Sequence, residues 1–385
     1  MLYHLSEWLE SLGMNIPGTG LMHYLSFRAM LAFVISLLIS FFAGRKIIDA
    51  LRRHQIGETI RDLGLEGQMQ KKGTPTMGGV IIIIALVCSA LLVCRLDSIY
   101  TILLLITTLW CGAIGLTDDY IKVFKHNKEG MSGRCKLILQ FGLGLLIALT
   151  VCISPAIPTD TLTTTIPFVK AHEFDYSWLS IFKGQMGVYC SWGIYMAMII
   201  FIILACSNGT NLTDGMDGLS AGTSAIVGVS IGVMAWLGGD AIDAKYLGIM
   251  FIPGSGEVAI FMSAFVGALI GFLWYNTFPA QVFMGDTGSL TIGGVIGVSA
   301  VLIRKELLLP LLCGIFLAES LSVIIQRGWF KYTRKKYGEG RRVFLMAPLH
   351  HHFQKKGIPE PRIVTRFWIV GMILAVSTLA LLKIR

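Results

Sequence analysis

Charge is what this chain has least of. Of its 385 residues only 14% are Asp, Glu, Lys or Arg, 54% are apolar, and the mean hydropathy is +0.70. Soluble globular domains carry about a quarter charged residues, so a soluble globule is excluded and the chain belongs in a membrane. Cysteine pairs are missing as well. Of the eight cysteines, Cys88, Cys94, Cys111, Cys152, Cys190, Cys206 and Cys313 lie in or beside apolar runs and Cys135 sits in a polar loop, which excludes a disulfide framework or a C-x-x-C metal knuckle. There is no G-x-x-x-x-G-K-[ST] and hence no P-loop. Neither an internal repeat nor a low-complexity linker divides the chain, and residues 1–385 read as one membrane domain.

What is present is a series of apolar runs near 25–44, 76–96, 99–117, 137–156, 189–206, 218–238, 258–277, 289–303, 307–327 and 365–383. A spanning helix takes about 20 apolar residues, so the expectation is an all-α polytopic protein with about ten transmembrane helices. The first run lacks the basic leader and small-residue cleavage site of a signal peptide and is expected to be kept as a helix. Ten spans place both termini on one side. They place the loops at 45–75, 118–136, 207–217, 278–288 and 328–364 on the other. Windows 45–75, 118–136 and 327–366 carry seven, five and eleven basic residues, which is 23 of the 32 Lys and Arg. By the positive-inside rule that side is cytoplasmic and the termini are periplasmic. The net charge of +9 is then explained by topology and anionic lipid rather than by nucleic acid. Small-xxx-small pairs such as Gly228/Gly232, Gly267/Gly271 and Gly293/Gly297 predict close helix packing. The outside loops at 157–188 and 239–257 hold few charges and offer no site.

Four polar features fall on the predicted cytoplasmic side. Asp118-Asp119 ends the third span, a helix C-terminus where the macrodipole disfavours anions. Neutralisation by Lys122 and Lys125 is the bland explanation; a site needing negative charge, for a divalent cation or a base, is the functional one. Successive helical residues point about 100° apart, so the two aspartates should act differently. Asn208, Asn211, Asp214 and Asp217 recur every three residues and would line one helical face, although acids entering a helix also serve as caps. In the run Asn276 to Ser289, Gly285 and Gly288 flank Asp286, so that the next helix offers amides to an anion, while Phe283 offers a ring for stacking. Finally, His350-His351-His352 with Lys355 and Lys356 suits phosphate oxygens, since magnesium prefers oxygen ligands to imidazole. Carboxylates, amides, imidazoles and lysines at one membrane face point to magnesium and a phosphorylated substrate. A cation-coupled transporter is disfavoured, because the outside loops hold no matching acids.

These motifs together resemble one family. Lys71-Lys72-Gly-Thr-Pro-Thr76-Met-Gly-Gly79, Asp118-Asp119-Tyr120-x-Lys122, Ser132-Gly-Arg134-x-Lys136, the 208–218 and 276–289 runs, Pro348-Leu-His-His-His-Phe353, Pro359-Glu-Pro-Arg362 and Arg366-Phe-Trp368 are similar to those of the phospho-N-acetylmuramoyl-pentapeptide transferases of bacterial cell-wall synthesis. They cover all five predicted cytoplasmic loops. The aspartate motifs alone would also serve a sister enzyme that transfers N-acetylglucosamine-1-phosphate; the histidine run and Pro-Glu-Pro-Arg favour the muramoyl branch.

The resemblance implies an enzyme of the bacterial cytoplasmic membrane that transfers phospho-N-acetylmuramoyl-pentapeptide from its uridine diphosphate carrier to undecaprenyl phosphate, giving lipid I and UMP. It implies magnesium at Asp286 beside Asp118 and Asp119, with Asp118 acting on the lipid phosphate and His351 completing the catalytic set. By the same carry-over Thr76, Asn208, Asn211, Asp214, Asp217, Asn276, Phe283 and Gln326 would contact substrate. Lys71, Lys72, Lys122, Lys136, His350, His351 and His352 would hold phosphates and sugar. A homodimer is also implied. The stretch from Arg327 to Phe344 looks longer than the family pattern leads one to expect.

Overall fold

Each apolar run folds as helix, because lipid offers backbone groups no partner outside the segment itself. A computed structural model describes residues 1–14, 18–54, 73–125, 127, 129–155, 157, 162–167 and 173–383. After a short helix α1 (Leu2–Ser11) come α2 (Leu25–His54), α3 (Gly79–Val93), α4 (Ile99–Phe124) and α5 (Gly133–Ile153). Next are α6 (Gln185–Thr213), α7 (Leu219–Gly239), α8 (Ala241–Leu247), α9 (Gly256–Asn276) and α10 (Gly285–Leu302). The chain ends with α11 (Leu309–Leu312), α12 (Gly314–Tyr337), α13 (Leu349–Lys355) and α14 (Glu360–Leu381). Eight helices among the described residues are long and apolar enough to cross a membrane: α2, α4, α5, α6, α7, α9, α10 and α14. Two of the ten predicted runs differ. α3 has only 15 residues, and the 307–327 run breaks into two helices bent by 76° around Cys313.

At the centre stands α10, whose residues from Thr287 to Leu302 are all buried. A helix apolar on every side belongs inside a bundle. It packs against α4 and α6, while α9 packs between α2 and α7. The predicted glycine pairs explain the close crossings: a Cβ on Gly267 would lie 2.3 Å from the Phe33 carbonyl oxygen, and one on Gly271 would lie 2.5 Å from Ser40 Cβ. The outer surfaces of the bundle remain apolar, with Phe42, Ile138, Phe201, Trp274 and Val376 exposed, as a lipid-facing surface requires.

The all-α expectation needs one correction. Between α5 and α6 lies an antiparallel hairpin of β1 (Thr163–Thr165) and β2 (Glu173–Asp175), in register Thr163 to Asp175. It is anchored by the segment after α10: Thr165 N–H and the Thr164 hydroxyl donate to the Arg304 carbonyl, at 3.1 Å each, and the buried Lys305 ammonium donates to Thr165 Oγ1. Glu306 accepts from Tyr176 at 3.1 Å, and Arg304 donates to the Tyr195 hydroxyl at 2.8 Å. This loop therefore holds a buried polar cluster that the low charge of 157–188 did not reveal.

Candidate active site

Helix direction alternates through the bundle, so the C-termini of α4, α6 and α9 meet the N-termini of α5, α7 and α10 at one end. There the two adjacent aspartates diverge, as a 100° step requires. Asp119 turns to α10 and caps it. It accepts from the amides of Asp286 (3.1 Å) and Thr287 (2.9 Å) and from the Thr287 hydroxyl (2.7 Å). The anion at the start of α10, expected from sequence to be a ligand, is thus a carboxylate of the protein itself.

Asp118 turns the other way, fully buried, towards the 125–136 loop. Its Oδ1 accepts from the Met131 amide (2.6 Å) and lies 2.9 Å from Lys136 Nζ, while its Oδ2 lies 2.6 Å from Lys122 Nζ. Asp286 is the third carboxylate. It faces both lysines, with Lys136 donating to Oδ2 and Lys122 at 3.2 Å, and takes a hydrogen bond from Asn211 Nδ2 at 2.9 Å on Oδ1. Backbone crowding fixes these positions. A Cβ on Gly115 would sit 2.2 Å from the Asp286 carbonyl oxygen, and one on Gly79 would sit 2.1 Å from the Gly288 nitrogen.

A cavity of about 340 Å³ opens on this cluster, lined by Thr76, Asp119, Lys122, Asn211, Asp214, Asp217, Asn276, Phe283 and Asp286 together with residues 215–216 and 284–285. Segments distant in sequence are tied together around it. The Phe283 amide donates to the Pro75 carbonyl and the Gly78 amide to the Phe283 carbonyl, both at 2.8 Å, which sets Thr76 beside Phe283. Asn276 accepts from the Gly218 amide (3.0 Å) and donates to the Val282 carbonyl (2.9 Å). Asp217 accepts from the Ala280 amide at 3.1 Å. Asn276 and Asp217 therefore build the cavity wall as well as present polar atoms to it.

Several predicted residues lie elsewhere. Asn208 donates to Gln140 Oε1 (2.9 Å) and to the Leu204 carbonyl (2.8 Å), away from the cavity. A spacing of three on a helix of 3.6 residues per turn slips by about 60° per step, and over that step Asn208 turns to Gln140 while Asn211 turns to Asp286 and Ser289. Gln326 is spent on protein as well: it accepts from the amides of Val343 (3.0 Å) and Phe344 (2.9 Å) and donates to the Phe344 carbonyl (3.1 Å). Residues 327–337 of the long stretch extend α12, whose C-terminus carries Arg334, Lys335 and Lys336, and the clamp folds 338–344 back onto it. Lys71 and Lys72 lie outside the described residues.

The histidines lie on the helix α13, about two turns long, at the rim. His350 is buried against Glu319 of α12, its Nδ1 3.3 Å from Oε2 and its amide donating to Oε1 at 3.2 Å. Its ring abuts Gly215, where an added Cβ would be 2.2 Å from Nε2. His351 Nδ1 lies 3.2 Å from Gln354 Oε1. His352 Nδ1 accepts from the Leu345 amide at 3.1 Å, and burial, seconded by the Lys356 charge, lowers its pKa. Sequence reading missed Glu319, Glu360 and Gln140. Glu360 accepts from the Asp217 amide at 2.7 Å, and Gln140 joins Ser207 to Asn208. Glu319 did carry a signal, as a lone carboxylate inside an apolar run.

Comparison with known proteins matches residues 101–304 to the family described as Glycosyl transferase family 4, and residues 71–83 to phospho-N-acetylmuramoyl-pentapeptide-transferase signature 1. Over its whole length, and the whole of theirs, the chain is similar to proteins named phospho-N-acetylmuramoyl-pentapeptide-transferase. It is 53% identical to that of Flavobacterium psychrophilum, 52% to that of Flavobacterium johnsoniae and 52% to that of Parabacteroides distasonis.

Proposed function

This chain belongs to the phospho-N-acetylmuramoyl-pentapeptide-transferase family, and on that premise we propose that it transfers phospho-N-acetylmuramoyl-pentapeptide from UDP-N-acetylmuramoyl-pentapeptide to undecaprenyl phosphate, giving lipid I and UMP. The observation that carries the reading is the cluster of three carboxylates and two lysines, of which Asp119, Asp286 and Lys122 line the polar cavity. An oxygen of the lipid phosphate bonds to the sugar-bearing phosphorus of the carrier, and the bond between the carrier's two phosphates breaks. One pyrophosphate link replaces another. The protein's task is to bring two polyanions together and offset their repulsion. Lys122 and Lys136 point into that contact. Asp118, buried and held by them, would take the proton of the lipid phosphate. Phe283 offers its ring to the uracil, and Asn211, Asp214, Asp217 and Asn276 offer hydrogen bonds to the nucleotide, with Thr76 beside them. His351 and His352 on the rim would reach the sugar and its phosphate.

Magnesium fits the donor set. Asp118, Asp119 and Asp286 each offer a carboxylate oxygen, and these lie within 4.8 Å of one another, a donor set of the kind a hard cation takes. Asp118, Asp119 and Asp286 would hold it, and the charge it would supply there is that of a Lewis acid beside the phosphates. The distribution of Lys and Arg supports a bilayer orientation with this end cytoplasmic, both termini periplasmic, and α3 and the bent α11–α12 pair completing ten spans in the bacterial cytoplasmic membrane. We further propose a homodimer.

The test is UMP release by the detergent-purified enzyme with magnesium and undecaprenyl phosphate. It should occur with UDP-N-acetylmuramoyl-pentapeptide and not with UDP-N-acetylglucosamine. Release with the second donor alone would keep the chemistry and overturn the substrate.

A further inference from the structure

A second cavity, of about 550 Å³, lies between α2 and α9 at the same end of the bundle but outside the carboxylate cluster. It is lined by Arg45, Asp49 and Arg52 of α2, by Gln281, and by an aromatic wall. The wall is built. Gly44 leaves room for the Tyr275 ring, since a Cβ there would lie 2.6 Å from Tyr275 Cε2, and the Tyr275 hydroxyl donates to the Phe41 carbonyl at 2.6 Å. Trp274 stands edge-on to Phe41 at 5.2 Å between ring centres, and its outer face is exposed. Arg45 and Arg52 are seven residues apart, two turns along one face, or about 10 Å, with Asp49 between them. Among the described residues none of these three makes an ion pair.

We propose that this cavity binds the headgroup of an anionic glycerophospholipid with hydroxyls on its headgroup, phosphatidylglycerol being the chemical type. Guanidinium groups pair with a phosphodiester through two parallel hydrogen bonds. Asp49 supplies an acceptor for headgroup hydroxyls, which phosphatidic acid and free phosphate do not carry. The exposed faces of Trp274 and Phe42 give the acyl chains an apolar surface at the level where aromatic residues collect in membranes. Charge complementarity favours this occupant over a zwitterionic lipid: over residues 45–53 of α2 the bases Arg45, Lys46, Arg52 and Arg53 outnumber a single acid, Asp49. The site shares no residue with the carboxylate cluster, and it stands whether or not the proposed reaction does.

The experiment is native mass spectrometry of the intact protein released from mixed micelles holding equal phosphatidylglycerol and phosphatidylethanolamine of the same chain length. The wild type should retain phosphatidylglycerol about tenfold over phosphatidylethanolamine, and the double variant Arg45→Gln/Arg52→Gln should lose that tenfold preference. Glycerol phosphate added at millimolar concentration should leave the bound lipid in place. Equal retention of the two lipids, an unchanged preference in the double variant, or displacement by glycerol phosphate would each overturn the proposal. Should the double variant fail to insert, a photoreactive phosphatidylglycerol on the wild type decides: labelling of peptides spanning 41–52 or 274–281 supports the site, and labelling confined to other segments overturns it.

Discussion

The two ends of α10 carry comparable chemistry and are put to different uses. At its N-terminus, Asp118, Asp119, Asp286, Lys122 and Lys136 form a charged cluster, of which Asp119, Asp286 and Lys122 line a cavity. At its C-terminus, about 27 Å away along 18 residues, Arg304, Lys305 and Glu306 are also buried. There each charged group meets a fixed side chain: Lys305 meets Thr165, Glu306 meets Tyr176 and Arg304 meets Tyr195. Buried charge by itself therefore does not mark a site. What separates the ends is an excess of acid over its immediate partners, an opening, and polar loops converging on that opening from several helices.

That comparison breaks most readily at the acids. Asp118→Asn and Asp286→Asn should each lower turnover by at least about 10³-fold, roughly 4 kcal/mol of transition-state stabilisation, while size-exclusion profiles stay unchanged. Lys305→Met at the other end should change turnover by less than about threefold. A Lys305→Met enzyme as inactive as the aspartate variants would erase the distinction.

Glu360→Gln should weaken UDP-substrate binding by about tenfold, the cost of a charge-assisted hydrogen bond to the Asp217 amide, with kcat much less affected. Calorimetric titration with UDP-N-acetylmuramoyl-pentapeptide reads this directly, and an unchanged affinity would make Glu360 dispensable to the 214–218 turn.

Stability sharpens the contrast further. Burial holds the Lys305 ammonium at about 8, below its ordinary 10.5. Between those values the unfolded chain binds more protons than the folded one, so stability rises with pH through that window and this contribution is lost as pH falls towards 8. The full range corresponds to about 3 kcal/mol. Thermal unfolding at pH 7.0 and 9.5 should show Lys305→Met at its best relative to the wild type at pH 7.0, with the advantage shrinking at 9.5. A difference that does not move with pH would remove the charge argument.

The smallest expected effect is at His352. The Leu345 amide bond requires an unprotonated Nδ1, which the lowered pKa favours. The docking of the 341–348 stretch is then complete above the ordinary histidine value, about 6.5, and loosens as pH falls below it. Hydrogen exchange at the Leu345 amide should quicken between pH 6.5 and 5. His352→Gln, which keeps an acceptor that does not titrate there, should flatten the dependence.

Much of the site was legible because its chemistry sits in short runs. Asp118-Asp119, the 208–218 and 276–289 runs and the histidines all stand at the ends of apolar segments, where a charge is conspicuous. Long-range pairing was not legible. Asp119 caps a helix that begins 166 residues later at Gly285, and no local pattern records such a partner. Asn208 and Gln326 were read by motif, whereas helix phase and a returning loop decide what they touch. The hairpin at 163–175 and the bend at Cys313 escaped for the same reason, since both depend on what packs against them. The apolar runs themselves were read well, because helix is the form a lipid-embedded backbone takes.

The most direct test of which end does the chemistry is to offer the protein Fe²⁺ in place of the proposed magnesium and map where peroxide-driven radicals cut the folded protein in its membrane. Cleavage should cluster around residues 118–119 and 285–287 and disappear when excess magnesium competes. Cleavage around 304–306, or a pattern that magnesium does not suppress, would contradict the account.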